Sequence, residues 1–465
     1  MIRSLSPQLR APGMNLDPID ALSPVDGRYA RATAALRAHL SEAALIRERV
    51  RVEAEWLLTL ARTRPAGLAG VEALTPAVLA VAESLAKDPP AGATAAIKAI
   101  ESRTNHDVKA VEYYVRDQLA TAGASAAALE LVHFGCTSED INNLAYARML
   151  RGAREVLCEQ LDAVIATLQS FASQHAQLPM LSRTHGQPAT PTTMGKELQV
   201  FVHRLRRQIE RVQATTYLGK FSGATGTFSA HVVAAPDVDW IKESKEFVTS
   251  LGLTWNPLTT QIESHDWQAE LYTAVAHFNR ILHNLCTDIW TYISLGYFKQ
   301  IPAAGATGSS TMPHKVNPIR FENAEANLEL SNAILDSLAA TLVTSRLQRD
   351  LTDSTVLRAL EDAGHEVVDN LPLSLFDALI AGATSRPLAL GIDSRTRAVA
   401  VGHASNFLGT INDVAAVCAA ARAVGAVSIV EAVQSAPHIA LDVGAIGCDL
   451  MAASAYKFFG PHLGI

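Results

Sequence analysis

The 32 residues AYARMLRGAREVLCEQLDAVIATLQSFASQHA, positions 145 to 176, contain no proline and place apolar side chains at i, i+3, i+4 and i+7. Such a stripe predicts one unbroken helix about 48 Å long. A rod of that length buries its stripe only against other rods of similar length. Two further segments repeat the pattern, EAALIRERVRVEAEWLLTLART at 42–63 and MGKELQVFVHRLRRQIERVQATT at 194–216. All three exceed the mean helix of roughly 11–12 residues, so the chain from Ala30 to Leu360 reads as a bundle of long helices with few convincing alternating strands.

After about Leu360 the texture changes. A β-branched run (AVAV), an alanine-rich helical stretch, a second run (AVSIVEAV) and a third candidate, CDLMAASAY at 448–456, follow one another. That alternation predicts α/β structure with parallel crossovers. The expected division is a disordered leader over 1–15, with Met14 as an alternative start, an N-terminal helical domain over 16–125, a central bundle over 126–360, a junction over 361–394 and a partial α/β segment over 395–465.

A net charge of −7 argues against nucleic acid or an anionic membrane as the main partner and favours a small-molecule substrate. Five scattered cysteines without a C-x-x-C pair fit a reducing cytoplasm and suggest no structural zinc. No apolar run is long enough for a signal peptide or a membrane span.

The polar interruptions between the helices carry the chemistry. They are SPVDGRY (23–29), TNHDVKAVEYY (104–114), HFGCTSEDINN (133–143), LSRTHGQPATPTT (181–193), TTQIESHD (259–266), GSSTMPHKVNP (308–318) and the helical run SRLQRDLTDSTVLR (345–358). The stretch closing on Asn317 and Pro318 opens a helix, whose positive end favours an anion. Each segment also has a plain structural reading. His106 and His185 can be hydrogen-bonded structural histidines, TSED a capping box, Arg349 and Arg358 solvated surface charges, and HGQPATPTT a turn stiffened by proline. Metal binding by His106 and Asp107 has no H-x-x-x-H or H-E-x-x-H pattern behind it.

In this order the segments resemble the fumarase/aspartase superfamily and, within it, the bacterial adenylosuccinate lyases. GSSTMPHKVNP matches the superfamily signature GSSxMPxKxNP, and SPVDGRY, TNHDVKAVEY, TSEDINN, SRTHGQPATP and QRDLTDSTVLR narrow the match. The resemblance runs from about Leu16 to Leu360. It implies a mainly α long-helix bundle, here with a C-terminal partial α/β segment. It also implies elimination of fumarate from adenylosuccinate and from the succinyl-aminoimidazole-carboxamide ribotide, in purine nucleotide biosynthesis. By resemblance, Ser309 is the general base and His185 the general acid. Lys315, Asn317, Thr137, Ser138 and Gln261 hold the succinyl carboxylates, while Arg28, Tyr29, Arg349, Ser354 and Arg358 grip phosphate and ribose. Asn105, His106 and Asp107 match the segment that orients the catalytic histidine and contacts substrate. No metal or organic cofactor is implied. A cytoplasmic homotetramer with sites shared between subunits is.

From about Arg395 the chain instead resembles an internal piece of the class V aminotransferases and cysteine desulfurases, through GHASNFLGTIND, VEAVQSAPH and SAYKFFGPHLGI. That match makes Lys457 a vestigial Schiff-base lysine for pyridoxal phosphate, with Ser454 and Gln434 as cofactor contacts. Glu431 and Tyr456 depart from the usual aspartate and histidine, and the upstream phosphate loop, ring-stacking residue and small domain are missing. Three alternatives follow. They are another fumarate-releasing lyase such as argininosuccinate lyase, a pyridoxal-phosphate enzyme, and a lyase-derived assembly without turnover.

Overall fold

The computed structural model describes residues 19, 21, 23–300, 316–349, 398–402, 412–432, 435–436 and 440–453. Ser309, Lys315, Ser354, Arg358 and Lys457, and the expected leader, lie outside the described residues. The chain divides into two compact units, Met1–Val367 and Val368–Ile465.

The first unit opens with α1 (Ala34–Leu40) and α2 (Glu42–Thr63). Ser41 caps α2 by accepting the Ala44 N–H at 3.2 Å, and Ile46, Val50, Ala54, Leu57 and Leu60 line its buried face. Four shorter helices follow: α3 (Pro76–Lys87), α4 (Ala93–Thr104), α5 (Asp107–Thr121) and α6 (Ala126–Leu129).

The predicted long helix is α7 (Ser138–Gln174), 37 residues and about 55 Å long. Its buried positions Cys158, Leu161, Ile165, Leu168 and Ala172 keep the three-four spacing read in the sequence. Next come β1 (Pro179–Thr184) and β2 (Gln187–Thr193), then α8 (Met194–Gln213). α8 runs back along α7 and approaches it closely at Gly195, where a Cβ would lie 2.3 Å from the Ala172 carbonyl oxygen. Two-residue strands β3 (Leu218–Gly219) and β4 (Thr254–Trp255) pair in parallel around α9 (Ser229–Ala234) and α10 (Trp240–Ser250).

The bundle is completed by α11 (Asp266–Ser294) and α12 (Ile319–Leu342). Five side-chain pairs fix these two as antiparallel: Arg280–Asp336, Asn279–Ser331, His283–Glu329, Thr287–Glu325 and Trp290–Glu322. Pro318 stands at the N-cap of α12, and none of the 24 helical residues is buried.

One expectation needs correction. The stretch LSRTHGQPATPTT is a β-hairpin and not a proline-stiffened loop; β1 and β2 pair antiparallel with Thr184 opposite Gln187. The two residues between them, His185 (φ 53°) and Gly186 (φ 75°), both take left-handed backbone, as a tight two-residue hairpin turn requires. Pro188 and Pro191 fit because a two-stranded ribbon has only edges.

In the second unit β5 (Ala398–Gly402), α13 (Val414–Ala423), β6 (Val427–Glu431), α14 (Val443–Ile446) and β7 (Leu450–Ala452) form a three-stranded parallel sheet in the order β5-β6-β7. A small core of Val414, Cys418 and Val430 joins the sheet to α13. Asp449 ties β6 to the approach of β7, accepting the backbone N–H and hydroxyl of Ser428, each at 2.7 Å.

Candidate functional site

Most of the described matched residues lie where α7 begins. Thr137 is its N-cap, and its backbone N–H donates to Asp140 Oδ2 at 2.8 Å, so the TSED segment is a capping box. Ser138 follows as the first helical residue. Asp140 does more than cap. Its Oδ1 accepts the Ser222 N–H at 2.8 Å and the Gly223 N–H at 3.3 Å, and pairs with Lys220 Nζ at 2.8 Å. Both charged side chains are at 0% exposure. Asn143, one turn along α7, receives the Lys220 backbone N–H at 2.7 Å and donates to its carbonyl at 2.9 Å. The segment 219–223, which runs on from β3, is therefore bolted to the first turn of α7.

From there the network reaches the other loops. Ser222 Oγ meets Thr259 Oγ1 at 3.3 Å. Thr260 Oγ1 and the Ile262 backbone N–H both donate to the Gln348 carbonyl, the latter at 3.3 Å. Gln261, half-buried, and Arg349, exposed, are thereby brought beside one another from positions 88 residues apart, the same separation as Thr260 and Gln348. On the opposite flank Arg49 of α2, almost wholly buried, donates from Nη2 to Asp107 at 2.8 Å and from Nε to Asn142 of α7 at 2.8 Å. This bridge carries the turn Asn105–His106–Asp107 to the same end. Within that turn Asn105 takes left-handed backbone (φ 50°) as the C-cap of α4, and His106 caps α5, its Nδ1 accepting the Lys109 N–H at 3.2 Å.

Below Thr137 and Ser138, Glu139 is buried, and that burial pushes its carboxyl up to about 8 while Lys220 pulls the other way. His231, at 0% exposure among Trp56, Phe134, Phe221, Phe228 and Trp240, has no hydrogen-bond partner on either ring nitrogen among the described residues. Burial lowers its pKa to about 4, so it is neutral at pH 7.

The remaining matched residues lie elsewhere. His185 stands exposed at the hairpin tip, beyond the far end of α7. That end is marked by the Gly195 N–H donating to the His175 carbonyl at 3.0 Å and by Tyr297, past α11, donating to the Leu181 carbonyl at 3.3 Å. Asn317 directly precedes the N-cap of α12. Arg28 is exposed, and the Tyr29 phenol accepts the Asn323 amide at 3.1 Å and the Asn327 amide at 3.5 Å, both on α12. Those amides pull the phenol below the ordinary tyrosine value, Asn323 first. Within one chain, then, α7, about 55 Å long, runs between the end that carries Thr137 and Ser138 and the end from which the His185 hairpin follows.

Sequence reasoning missed Arg49, Asp140, Lys220, Asn323 and Asn327. Only Asp140 carried a signal, as the acid of the capping box; the others reach partners 58 to 298 residues away, from Arg49 with Asp107 to Asn327 with Tyr29. No metal-ligating cluster is found among the described residues. In the second unit Glu431, matched to the partner of the pyridine nitrogen, closes β6 with its side chain exposed. The other matched positions, Gln434, Ser454 and Lys457, lie outside the described residues.

Comparison with known proteins agrees with the helical architecture. A lyase family description matches residues 27–332, and a class-V aminotransferase description matches residues 383–465. Adenylosuccinate lyase of Escherichia coli is 50% identical over 348 residues, 75% of this chain and 76% of that one. The Vibrio cholerae protein of the same name is 50% identical over 349 residues, covering 75% and 76%. That of Haemophilus influenzae is 47% identical over 374 residues, covering 80% and 79%. The crystal structure of the 3-carboxy-cis,cis-muconate lactonizing enzyme from Pseudomonas putida superposes with a TM-score of 0.55 at 23% identity, over 71% of each chain, and shares the fold. The chain is a C–N lyase with the long-helix fold of the fumarase/aspartase superfamily, and it belongs to the adenylosuccinate lyase family.

Proposed function

We propose that this enzyme eliminates fumarate from adenylosuccinate, leaving AMP, and from the succinyl-aminoimidazole-carboxamide ribotide, leaving the free amine. The observation that carries this reading is that hydrogen bonds and ion pairs around the start of α7 hold the segments bearing Asp107, Thr137, Gln261 and Arg349 at one end of the bundle, while His185 lies on the hairpin after the other end of α7.

In the reaction, Ser309 Oγ takes the proton from the carbon beside a succinyl carboxylate. The electron pair released spreads into that carboxylate as an aci-carboxylate, then forms the fumarate double bond as the C–N bond breaks. The leaving nitrogen takes its proton from His185, a role suited to imidazole. The aci-carboxylate is the costly species, and fixed cations and N–H groups lower the barrier, each by roughly 3–4 kcal/mol in comparable oxyanion sites. Lys315, Asn317 and the start of α12 serve that charge, with Thr137, Ser138 and Gln261 on the carboxylates. Arg28, Tyr29, Arg349, Ser354 and Arg358 hold phosphate and ribose, and Asn105, His106 and Asp107 orient the catalytic histidine and contact the substrate.

The distance between His185 and Thr137 in one chain means that a complete site takes its histidine from another copy. α12, with no buried residue along 24, offers the surface a homotetramer would cover. The substrate is a small nucleotide, neither nucleic acid nor membrane, met in the cytoplasm.

The test is an absorbance assay with adenylosuccinate on the size-exclusion peak of the purified chain. Fumarate and AMP from a tetramer-sized peak are expected. A second arm mixes His185→Ala with Arg349→Ala, each inactive alone. Mixed assemblies that regain part of the activity support shared sites, and a folded tetramer without turnover overturns the reading.

A further inference from the structure

Three carboxylates are buried beneath Thr137 and Gln261: Glu139, Asp140 and Glu263. Their surroundings differ in a way that decides where charge can reside. Asp140 accepts the Thr137, Ser222 and Gly223 N–H groups and pairs with Lys220, so it is well served as an anion. Glu263 is also served, by the Asn256 amide at 2.8 Å and the His265 backbone N–H at 2.7 Å. Glu139 has less. Its Oε1 accepts the Glu263 backbone N–H at 3.4 Å and faces His265 Nε2 at 3.5 Å. Lys220, the buried lysine of this cluster, is held by Asp140 and by the Gly223 carbonyl at 2.7 Å.

His265 is itself held in place. Its Nδ1 meets the Gln268 amide at 3.2 Å and lies 3.7 Å from Glu263, and its backbone is left-handed (φ 60°) at the N-cap of α11. Left-handed backbone at a histidine is costly and persists only where neighbours enforce it. Two residues before Glu263, the chain presents Gln261, and the flanking Thr260 and Ile262 carry Gln348 and hence Arg349.

We propose that Glu139 is a positioning residue for the substrate site: a proton retained between its carboxyl and His265 locks the loop 259–263 onto the first turn of α7, and so fixes Gln261 and Arg349 relative to Thr137 and Ser138. The inference rests on the functional reading given above, which assigns those four residues to substrate. The groups facing Glu139 are Asp140 on its own helix, Lys220 on the segment after β3, and Glu263 and His265 on the loop before α11. Removing the proton adds a third buried negative charge beside two that already exhaust their donors. The raised pKa of Glu139, about 8, agrees with a proton kept at neutral pH and lost in mild alkali. Loosening the loop weakens contacts made equally in ground and transition states, so the effect falls on KM more than on kcat.

The experiment measures kcat and KM of the full chain with adenylosuccinate between about pH 6.5 and 9, bracketing the group's titration. Wild type is expected to show KM rising through the alkaline range. Glu139→Ala raises KM at neutral pH by about tenfold, the scale of one lost buried hydrogen bond. Glu139→Gln, isosteric with the protonated acid, restores the neutral KM and abolishes the alkaline rise, which a merely structural role would not do. An alkaline rise that persists in Glu139→Gln, or a wild-type KM in Glu139→Ala, overturns the proposal. If Glu139→Ala does not fold, the pH profile of Glu139→Gln decides alone. Should the wild type prove inert, the functional reading fails, and hydrogen exchange then tests the lock by itself. Protection of the Glu263 amide must fall with rising pH in wild type and hold steady in Glu139→Gln; identical behaviour in both overturns it.

Discussion

Where α7 begins, Asp140 and Lys220 meet at 0% exposure and five loops are tied together by hydrogen bonds donated across the fold. Where α7 ends, His185 stands exposed on a two-residue turn supported by the Arg183 guanidinium on the Gly186 carbonyl at 3.1 Å. The first end is organised before any substrate arrives. Its charges have been taken out of water and matched to donors, which costs folding energy and fixes geometry. Among the described residues the hairpin end has no such buried ion pair, and in the proposed assembly another copy of the chain brings it to Thr137. In the proposed assembly the labour is divided, with a rigid receptor on one subunit and a reactive group delivered by another.

The contrast can be tested by changing one end at a time. His185→Ala is expected to cost the most turnover, about 10²–10⁴-fold in kcat, with an unchanged thermal midpoint because the side chain is exposed. A large loss of stability in this variant would erase the contrast. Asp140→Ala is expected to do the reverse. It leaves Lys220 buried without its counter-ion and costs about 3–5 kcal/mol in denaturant unfolding.

Acid should strike the α7-start end as well. His231 has its pKa lowered to about 4, so the unfolded chain binds the proton more tightly. Its stabilisation is complete above the unfolded value near 6.5 and is lost as pH falls toward 4. A decline of roughly 3 kcal/mol across that range is expected in thermal melts followed by circular dichroism. The smallest effect should come from Tyr29→Phe, which removes contacts with Asn323 and Asn327 at an exposed site. A KM a few-fold higher, about 0.5–1 kcal/mol, with no change in melting, would sharpen the view that this loop binds without stabilising.

The two ends also differed in how far they could be read in advance. α7 was legible because its apolar stripe holds a helical period along its length, and the box Thr137–Asp140 because its chemistry is local. The hairpin was not. Its residues are mostly exposed, so no apolar alternation marks the strands, and two prolines argue locally against them. Of Glu139 and Asp140 the sequence showed only the acid of a capping box. Their burial depends on Lys220, Glu263 and His265, which arrive from distant sequence. In the second unit, β-branched runs separated by an alanine-rich helix announced β5, β6 and β7 as a parallel set.

The length of α7 has a consequence for how such a gene can change. α7 and α11 are joined at both ends, by Glu139 with the Glu263 N–H at one and by the hairpin's Leu181 with Tyr297 at the other. One inserted residue would lengthen a rod by 1.5 Å and rotate everything beyond it by about 100°, turning a buried stripe outward. Such a stretch accepts substitution far more readily than insertion, and any change of length must occur in whole helical repeats and in both rods together. Variation in length is left to the connections and to the chain beyond α12.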